Sequence, residues 1–338
     1  MPGITHPDRK DVIKILEIYK SFELITMAPV FTELVWRRRF SRAGEFQLTT
    51  NFTPDKLDIF EQGNIIYKRN VDEAAFIESR KVTQSIDGEL RLAVRGRFLP
   101  SLLDRRIVSF EGNFPLNNTI AFLWNQNFGA QAAPGRQMSP DVRIIPFPSF
   151  GQAIIHAEYR RRNAYDVITS LLQEHNVGMW GRYNFDTRTI DISFFAPVES
   201  EVTFSKEFAN IIEQDYRDDT EPYRNVVYVD DQYIHNDHIH TGFERREIAI
   251  SAPNPNHWSI GLRQAAIDAL NENRSVRTLS SVVNPFSRQF EYLKDWNIGS
   301  VVLSQSRMIG FSGKEVITEI TEYYDEAGMN LEVKLGAV

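Results

Sequence analysis

LVWRRRFSRAGEFQL, at residues 34–48, combines two strand patterns with a turn between them. Its first half is rich in β-branched and aromatic residues, which favour a pleated sheet. In its second half the apolar residues Phe46 and Leu48 alternate with polar ones, so the two kinds of side chain point to opposite faces. Ser-Arg-Ala-Gly at 41–44 provides turn residues. The segment therefore predicts two strands joined by a turn, the second of them half-buried.

Strand patterns occupy both ends of the chain. Leu, Leu and Val alternate within 90–94, after the pair Asp87-Gly88. This pair predicts a hairpin with a two-residue type I′ turn, because both central positions of that turn need positive φ. Near the other end, residues 316–323 and 329–335 predict a closing meander. The sequence therefore predicts a mainly β fold with a strand-rich block at each end.

The middle of the chain mixes helices with strands. Asn163 is a suitable N-cap for a helix in which apolar residues recur at helical spacing from 164 to 172. A hairpin is predicted within 180–194, and further helices are predicted at 118–128 and 259–270. Two β-barrels flanking an inserted α+β domain would explain this order of elements.

Composition excludes several classes of protein. The 338 residues are 42% hydrophobic and 25% charged, as in ordinary folded proteins, and their number suggests two to three domains. Cysteine is absent, which excludes disulfide scaffolds, thiolate metal sites and cysteine nucleophiles. A formal net charge of −7 argues against a surface that binds polyanions as a whole. No apolar run reaches the roughly 18 residues of a membrane span, and no signal peptide is indicated, so we expect synthesis and assembly in a cytoplasm.

Three histidines near two carboxylates form the first candidate site. His235, His238 and His240 lie close to Asp230 and Asp231. In an extended strand His238 and His240 would share one face, a spacing that permits metal ligation by two imidazoles. However, no helical H-E-x-x-H pattern frames these residues, which favours a solvated polar loop. We therefore predict no metal site.

Three other patterns could suggest catalysis. Residues 310–313 (Gly-Phe-Ser-Gly) superficially resemble a nucleophile elbow around Ser312, but they lack the second glycine at the required spacing. Lys314 follows a glycine without the spacing of a phosphate-binding loop. The acidic residues within 218–221 are typical of a solvated loop, and spacing alone cannot identify a glycosidase pair. We predict that the chain is not an enzyme and has no catalytic residue, cofactor-binding residue or cofactor.

Arginine runs and tryptophans suggest two kinds of binding. The runs at 37–39 and 160–162 could neutralise phosphates. In a strand, however, consecutive arginines point to alternate faces, and the acidic balance favours ion pairs within a sheet or between subunits. Three tryptophan rings could stack on sugars: those of Trp180, Trp258 and Trp296. Strand-like surroundings favour a core position for Trp180 and Trp296.

Several segments resemble one protein family in their order and spacing. Besides the run at 34–48, they are GNIIY at 63–67, VRGR at 94–97, LLDRRI at 102–107, YRNVV at 223–227, ERRE at 244–247, DWNIGSVV at 295–302 and the stretch 320–336. Together they resemble the hub or tail-associated (baseplate hub-like) proteins at the distal end of long bacteriophage tails, of siphophage type. The similarity spans nearly the whole chain.

The resemblance implies a structural protein of the virion, located in the phage tail. It implies two tail-tube-like β-barrels, one at 1–111 and one at 201–230 with 281–338. The inserted α+β peripheral domain would comprise 112–200 and 231–280. Three subunits would form a homotrimeric hub that caps the tail tube, organises the tail tip or baseplate, and forms part of the conduit for genome ejection.

The implied partners are other tail components. They are the distal tail and tail-tube proteins, a tape-measure protein, receptor-binding or fibre proteins, and DNA that passes through the lumen without specific binding. An acidic lumen lining, suggested by the net charge, would keep DNA from adhering. The alternative is a receptor- or carbohydrate-binding tail module. Such hubs often carry a wall-degrading module, and because this chain ends at Val338 we expect any such activity to belong to another protein.

Overall fold

The computed structural model describes residues 16–27, 31–146, 154–230, 233–236, 238–251, 260–274, 276–284, 287, 289–326 and 328–337. Strands predominate in these ranges. The strands are β1 (Leu16–Lys20), β2 (Glu23–Met27), β3 (Glu33–Arg39), β4 (Glu45–Asn51), β5 (Ile65–Lys68), β6 (Glu73–Phe76), β7 (Ser79–Gln84), β8 (Leu90–Arg97), β9 (Ile107–Pro115), β10 (Val142–Ile144), β11 (Ile154–Asn163), β12 (Gly178–Asn184), β13 (Thr189–Phe195), β14 (Val198–Phe204), β15 (Ile211–Asp219), β16 (Val226–Val229), β17 (Tyr233–Asn236), β18 (Glu247–Ile250), β19 (Val276–Val283), β20 (Ser300–Ser306), β21 (Phe311–Asp325) and β22 (Gly328–Ala337). The helices are α1 (Asp55–Ile59), α2 (Leu116–Asn127), α3 (Ala164–Glu174) and α4 (Ile260–Glu272).

One ten-stranded sheet, here called the main sheet, organises most of the fold. Its path runs in the order β15-β19-β22-β21-β3-β4-β8-β7, and β20 with β14 branches from β21. The 15-residue β21 joins the two ends of the chain, because its first half pairs with β20 and its second half with β3. Strands from the first and last thirds of the sequence therefore share one sheet.

The predicted mainly β class with an α+β part is confirmed, but the predicted closure of each end into its own barrel is not. Among the described residues the main sheet stays open, since β7, β14 and β15 each pair with one neighbour. The local patterns predict strands without fixing their partners. The apolar face of β3 continues onto β21, where Leu34 lies opposite Tyr324 and Arg38 opposite Ile320, so the two ends bury one surface together.

A four-stranded sheet, in the order β2-β1-β5-β6, packs against the core face of the main sheet. Ile18 and Ile66 of the smaller sheet share a buried cluster with Trp36, Leu48 and Val94 of the main sheet. Alternating side chains on each strand make this sheet-on-sheet packing possible, because each sheet buries one apolar face.

The helices belong to two further units. Leu123 of α2 and Leu171 of α3 share a core with Ile192 of a three-stranded sheet in the order β10-β13-β12. Helix α4 packs on a small sheet in the order β17-β16-β18, where Ala266 lies in one cluster with Val227. No helix in the described ranges combines the length and apolar character needed to cross a membrane.

Several local predictions are confirmed. The side-chain oxygen of Asn163 accepts hydrogen bonds from the backbone N–H groups of Tyr165 at 2.8 Å and Asp166 at 3.4 Å, so it caps α3 as expected. The hairpin predicted within 180–194 is formed by β12 and β13. The closing meander is formed by β20, β21 and β22.

The Asp87-Gly88 hairpin is confirmed, but its predicted two-residue type I′ turn is wrong. The backbone N–H of Gly88 donates to the carbonyl of Ser85 at 3.0 Å, and the N–H of Ser85 donates to the carbonyl of Glu89 at 2.9 Å. In this loop only Gly88 has a positive φ, of 84°. The connection is therefore a longer turn with one left-handed glycine, which needs no left-handed Asp87.

Candidate functional site

Three consecutive arginines on β3 divide between the two faces of the main sheet. On the polar face, Arg37 and Arg39 contact Glu45 at 2.6 and 2.9 Å, and Arg39 also pairs with Glu319 at 3.0 Å. Arg38 points to the core face and is 1% exposed. The predicted alternation and ion pairing within the sheet are confirmed for this run.

Arg38 is held by groups from three parts of the chain. Its Nε donates to Glu73 at 2.7 Å, and its Nη1 donates to the Tyr292 hydroxyl at 2.9 Å and to Asn297 Oδ1 at 2.5 Å. Trp36 Nε1 donates to the same Glu73 carboxylate at 2.9 Å. Nη2 of Arg38 has no hydrogen-bond partner among the described residues. A cavity of about 20 Å³ beside Arg38 and Glu73 matches the size of one water molecule.

A second ion pair lies at the same interface between sheets. Lys68 of β5 donates to Glu322 of β21, and both side chains are fully buried. The hydroxyls of Tyr324 and Tyr292 also donate to Glu322, the latter at 2.8 Å. Because Tyr292 contacts both Arg38 and Glu322, the two ion pairs form one buried charge network, made of Arg38, Glu73, Lys68, Glu322 and Tyr292.

Burial and charge oppose each other within this network. Burial would raise the pKa of Glu322, but Lys68 and Arg38 outweigh it and hold that pKa below its ordinary value. Burial would lower the pKa of Arg38, but Glu73 and its neighbours raise it above the ordinary value. Burial lowers the pKa of Lys68, against the attraction of Glu322. Burial also raises the pKa of Tyr292 well above its ordinary value. The Glu322 carboxylate and the Arg38 guanidinium therefore remain charged at neutral pH.

The buried charge network is structural in character. The cavity of about 20 Å³ at Arg38 is far smaller than a substrate, and Lys68 and Glu322 are inaccessible. The network connects β3, β5, β6 and β21, so it fixes how the four-stranded sheet sits on the main sheet. Lys68, Glu73 and Glu322 could not be identified from the sequence, because no local spacing indicates that their three strands meet here.

The three histidines considered as metal ligands lie on β17 and in the segment after it. His235 lies on β17, where its Nδ1 is 3.2 Å from the Tyr233 hydroxyl. His238 is exposed, and its ring centroid lies 6.3 Å from that of His240. Asp231 lies outside the described residues. No group of three potential metal ligands occurs in the part of the chain that is described.

The positions considered for catalysis lie on strands. Ser312 is exposed on β21 opposite Gln305 of β20, not at a strand-to-helix elbow. Lys314 pairs with Glu199 of β14 at 2.8 Å. Asp219, expected in a loop, is the last residue of β15 and pairs with Arg217 at 2.5 Å. The ion pairs of Lys314 and Asp219 are thus formed with other residues than these candidates.

Two of the three tryptophans are placed by the structure, and Trp258 lies outside the described residues. Trp296 is 3% exposed and packs edge-on against Phe204, as its core assignment predicted. Trp180 is half-buried, and the Arg38 guanidinium lies 5.5 Å from its ring centroid. Neither ring forms part of an exposed sugar-stacking face.

The second arginine run lies on β11 beside a polar groove. Pairing between β11 and β9 is irregular between Tyr159 and Arg162, and Arg161 has a positive φ of 49°. Arg160 lies 3.8 Å from Glu111 of β9. Arg162 lines a groove of about 640 Å³ between α3 and α4, together with several carboxylates. Mixed charge in this groove gives no preference for a polyanion.

Comparison with known proteins identifies the family. Residues 13–337 match the family model described as Siphovirus ReqiPepy6 Gp37-like protein. The chain belongs to this family of siphovirus tail proteins. It is a phage tail-associated structural protein of the virion, as the sequence resemblance predicted. No curated protein sequence matches the chain.

Solved structures share its fold at low sequence identity. The 43 kDa tail protein of prophage MuSo2 from Shewanella oneidensis has a TM-score of 0.59 and 12% identity, with 95% of this chain and 96% of that chain covered. A tail protein from Neisseria meningitidis MC58 has a TM-score of 0.53 and 14% identity, covering 96% and 95%. The E. coli c3393 protein has a TM-score of 0.51 and 12% identity, covering 96% and 76%. It is described as a component of the type VI secretion system with structural similarity to T4 bacteriophage tail proteins gp27 and gp5.

Proposed function

We propose that this chain is the hub subunit at the distal end of a phage tail tube. Three copies form a ring that caps the tube, organises the tail tip or baseplate and contributes to the ejection conduit. The family match over residues 13–337 carries the proposal, and the fold shared with prophage tail proteins over nearly the whole chain supports it. The c3393 protein, itself described as similar to the phage tail proteins gp27 and gp5, supports a hub position.

The proposed role needs a rigid scaffold rather than a catalytic centre. The buried charge network fixes the two sheets that the ends of the chain build, and no proposed step uses a reactive group. We propose the division into 1–111, 112–200 with 231–280, and 201–230 with 281–338 as the functional units of the hub. The inserted part would face other tail proteins, and an acidic lumen would let DNA pass without adhering.

Native mass spectrometry of the full chain tests this proposal. We expect a species of about three times the 39.1 kDa chain mass, because one ring needs three copies. A chain that stays monomeric at every concentration would contradict the hub. Binding of such a monomer to a glycan array would instead support a receptor- or carbohydrate-binding module.

A further inference from the structure

At each of two ends of the main sheet, one strand has an edge without a partner strand among the described residues. At one end β7 pairs only with β8, and at the other β15 pairs only with β19, within the described residues. Five of the six residues of β7 are exposed, and so are five of the nine residues of β15. Open strand edges attract further strands, and proteins usually cover or protect them.

The two open strands carry opposite charge. β7 contains Arg80 and Lys81 and no acidic residue. β15 contains four carboxylates and one arginine, with Glu213 and Asp215 exposed. Neither Lys81 nor Glu213 makes an ion pair with a described residue. Opposite charge at the two ends of one sheet favours contact between unlike ends of two copies.

Lys81 of β7 and Glu213 of β15 also lie on the same face of the main sheet. Opposed residues run across this polar face in the order Arg97, Glu45, Arg37, Thr321, Glu332, Val282 and Glu213. Arg95 lies on this face, and so does Lys81, because it is opposite Ala93, two residues before Arg95 on β8. Joining β7 of one copy to β15 of another would therefore continue one face without turning it over.

Apolar side chains accompany the charges at both ends. Val82 of β7 and Leu90 of β8 are each 41% exposed, and Ile86 at the hairpin tip is fully exposed. At the other end Ile212 is 53% exposed and Phe208 is 45% exposed. Such groups gain free energy when a partner strand covers them. Each end thus offers backbone hydrogen bonds, apolar area and charge to a partner.

We propose that β7 of one copy pairs with β15 of the next, so that the main sheet continues from subunit to subunit around a ring. This inference rests on the proposed hub and names its interface and its partner, a second copy of this chain. A head-to-tail contact of this kind is heterologous, and repetition closes it into a ring if the rotation per copy permits. Backbone pairing supplies affinity, while the opposite charges select unlike ends.

Charge reversal at each edge tests the interface. Lys81→Glu on β7 and Glu213→Lys on β15 should each raise the concentration at which half the assembly dissociates by roughly tenfold, because each places like charges together. The double variant carrying both substitutions should return toward the wild-type value, which a folding defect would not do. Glu201→Lys is the matched control, since Glu201 is an exposed glutamate on β14, another open strand of the same sheet.

The outcomes separate this interface from the proposed hub. A wild-type trimer that Lys81→Glu and Glu213→Lys leave intact would overturn the β7–β15 contact while the hub stands. Dissociation by Glu201→Lys alone would overturn it in favour of the β14 edge. A ring of another size that both edge substitutions break would support the contact and contradict the trimer. A wild-type chain that is monomeric throughout would overturn both.

Discussion

At the scale of residues, Arg38, Glu73, Lys68 and Glu322 form two ion pairs whose side chains are all buried. Each cation has a carboxylate partner, and hydroxyl groups satisfy further acceptor positions on Glu322. A buried ion pair contributes little net stability compared with a well-packed apolar pair, but it is costly to break. The network therefore specifies one arrangement of the two sheets rather than adding to hydrophobic stability.

Glu322→Ala should lower the free energy of unfolding by about 3–5 kcal/mol, because it leaves the buried Lys68 ammonium without its counter-charge. Urea unfolding measures this change. The control is Glu89→Ala, which removes an exposed pair with Arg91 and should cost less than about 1 kcal/mol. The double variant Lys68→Met/Glu322→Leu should be more stable than Glu322→Ala; equal or lower stability would contradict this explanation.

The lowered pKa of Glu319 predicts that the free energy of unfolding depends on pH. Burial would raise its pKa, but hydrogen bonds from Lys334 and Arg39 hold the pKa below the ordinary value of 4.5. A depressed pKa in the folded state contributes stability above pH 4.5, which is lost as the pH falls through the folded value. Wild type should therefore lose more stability than Glu319→Gln between neutral pH and about pH 3, measured by urea unfolding. Equal losses would show that Glu319 contributes nothing to the acid sensitivity.

At the scale of elements, the packing of β8 depends on the close approach of Gly96 to the backbone of Phe76 in β6. A side chain at Gly96 would clash with the backbone carbonyl of Phe76 and with the ring of Phe46. Gly96→Ala should therefore destabilise the fold by about 1–3 kcal/mol, measured as a lower urea midpoint. Gly135→Ala is the matched control, because nothing lies within 4 Å of its added carbon. Similar effects from both substitutions would rule out the close approach as the cause.

The sequence predicted those elements that are determined by residues close to one another in the chain. The Asn163 cap and the apolar spacing after it placed α3, and strand alternation placed β12 and β13. The turn at Asp87-Gly88 was predicted with the wrong geometry, because the same dipeptide suits a longer turn in which glycine alone is left-handed. Alternation also placed Arg37 and Arg39 on one face and Arg38 on the other.

At the scale of the whole molecule, strand partners could not be predicted from local pattern. The pairing of β3 with β21 joins residues 280 positions apart, as in the contact of Arg39 with Glu319. Two separate barrels fit the same alternation of apolar residues, so only the observed pairing distinguishes them from one shared sheet. The pair Lys68–Glu322 could not be predicted for the same reason, because it joins β5 to β21 across 254 positions of the chain.

The proposed contact between β7 and β15 predicts that the assembly depends on salt. Opposite charges at the two edges attract less at high ionic strength, because the Debye length falls from about 10 Å at 0.1 M to about 3 Å at 1 M. Native mass or light scattering should therefore show more dissociation as NaCl rises over this range. The Lys81→Glu variant should show a weaker dependence or its reverse. Assembly that tightens with salt in the wild type would indicate an interface dominated by apolar contact.

The pairing of β3 with β21 has a consequence for synthesis on the ribosome. At roughly 5–20 residues per second, the 280 positions between Arg39 and Glu319 take about 14–56 s to translate. Throughout that interval β3 lacks its neighbour β21, and Lys68 lacks the Glu322 carboxylate. The nascent N-terminal part therefore stays open to misassociation until the last strands emerge, which makes chaperone protection during translation an expected requirement for high yield.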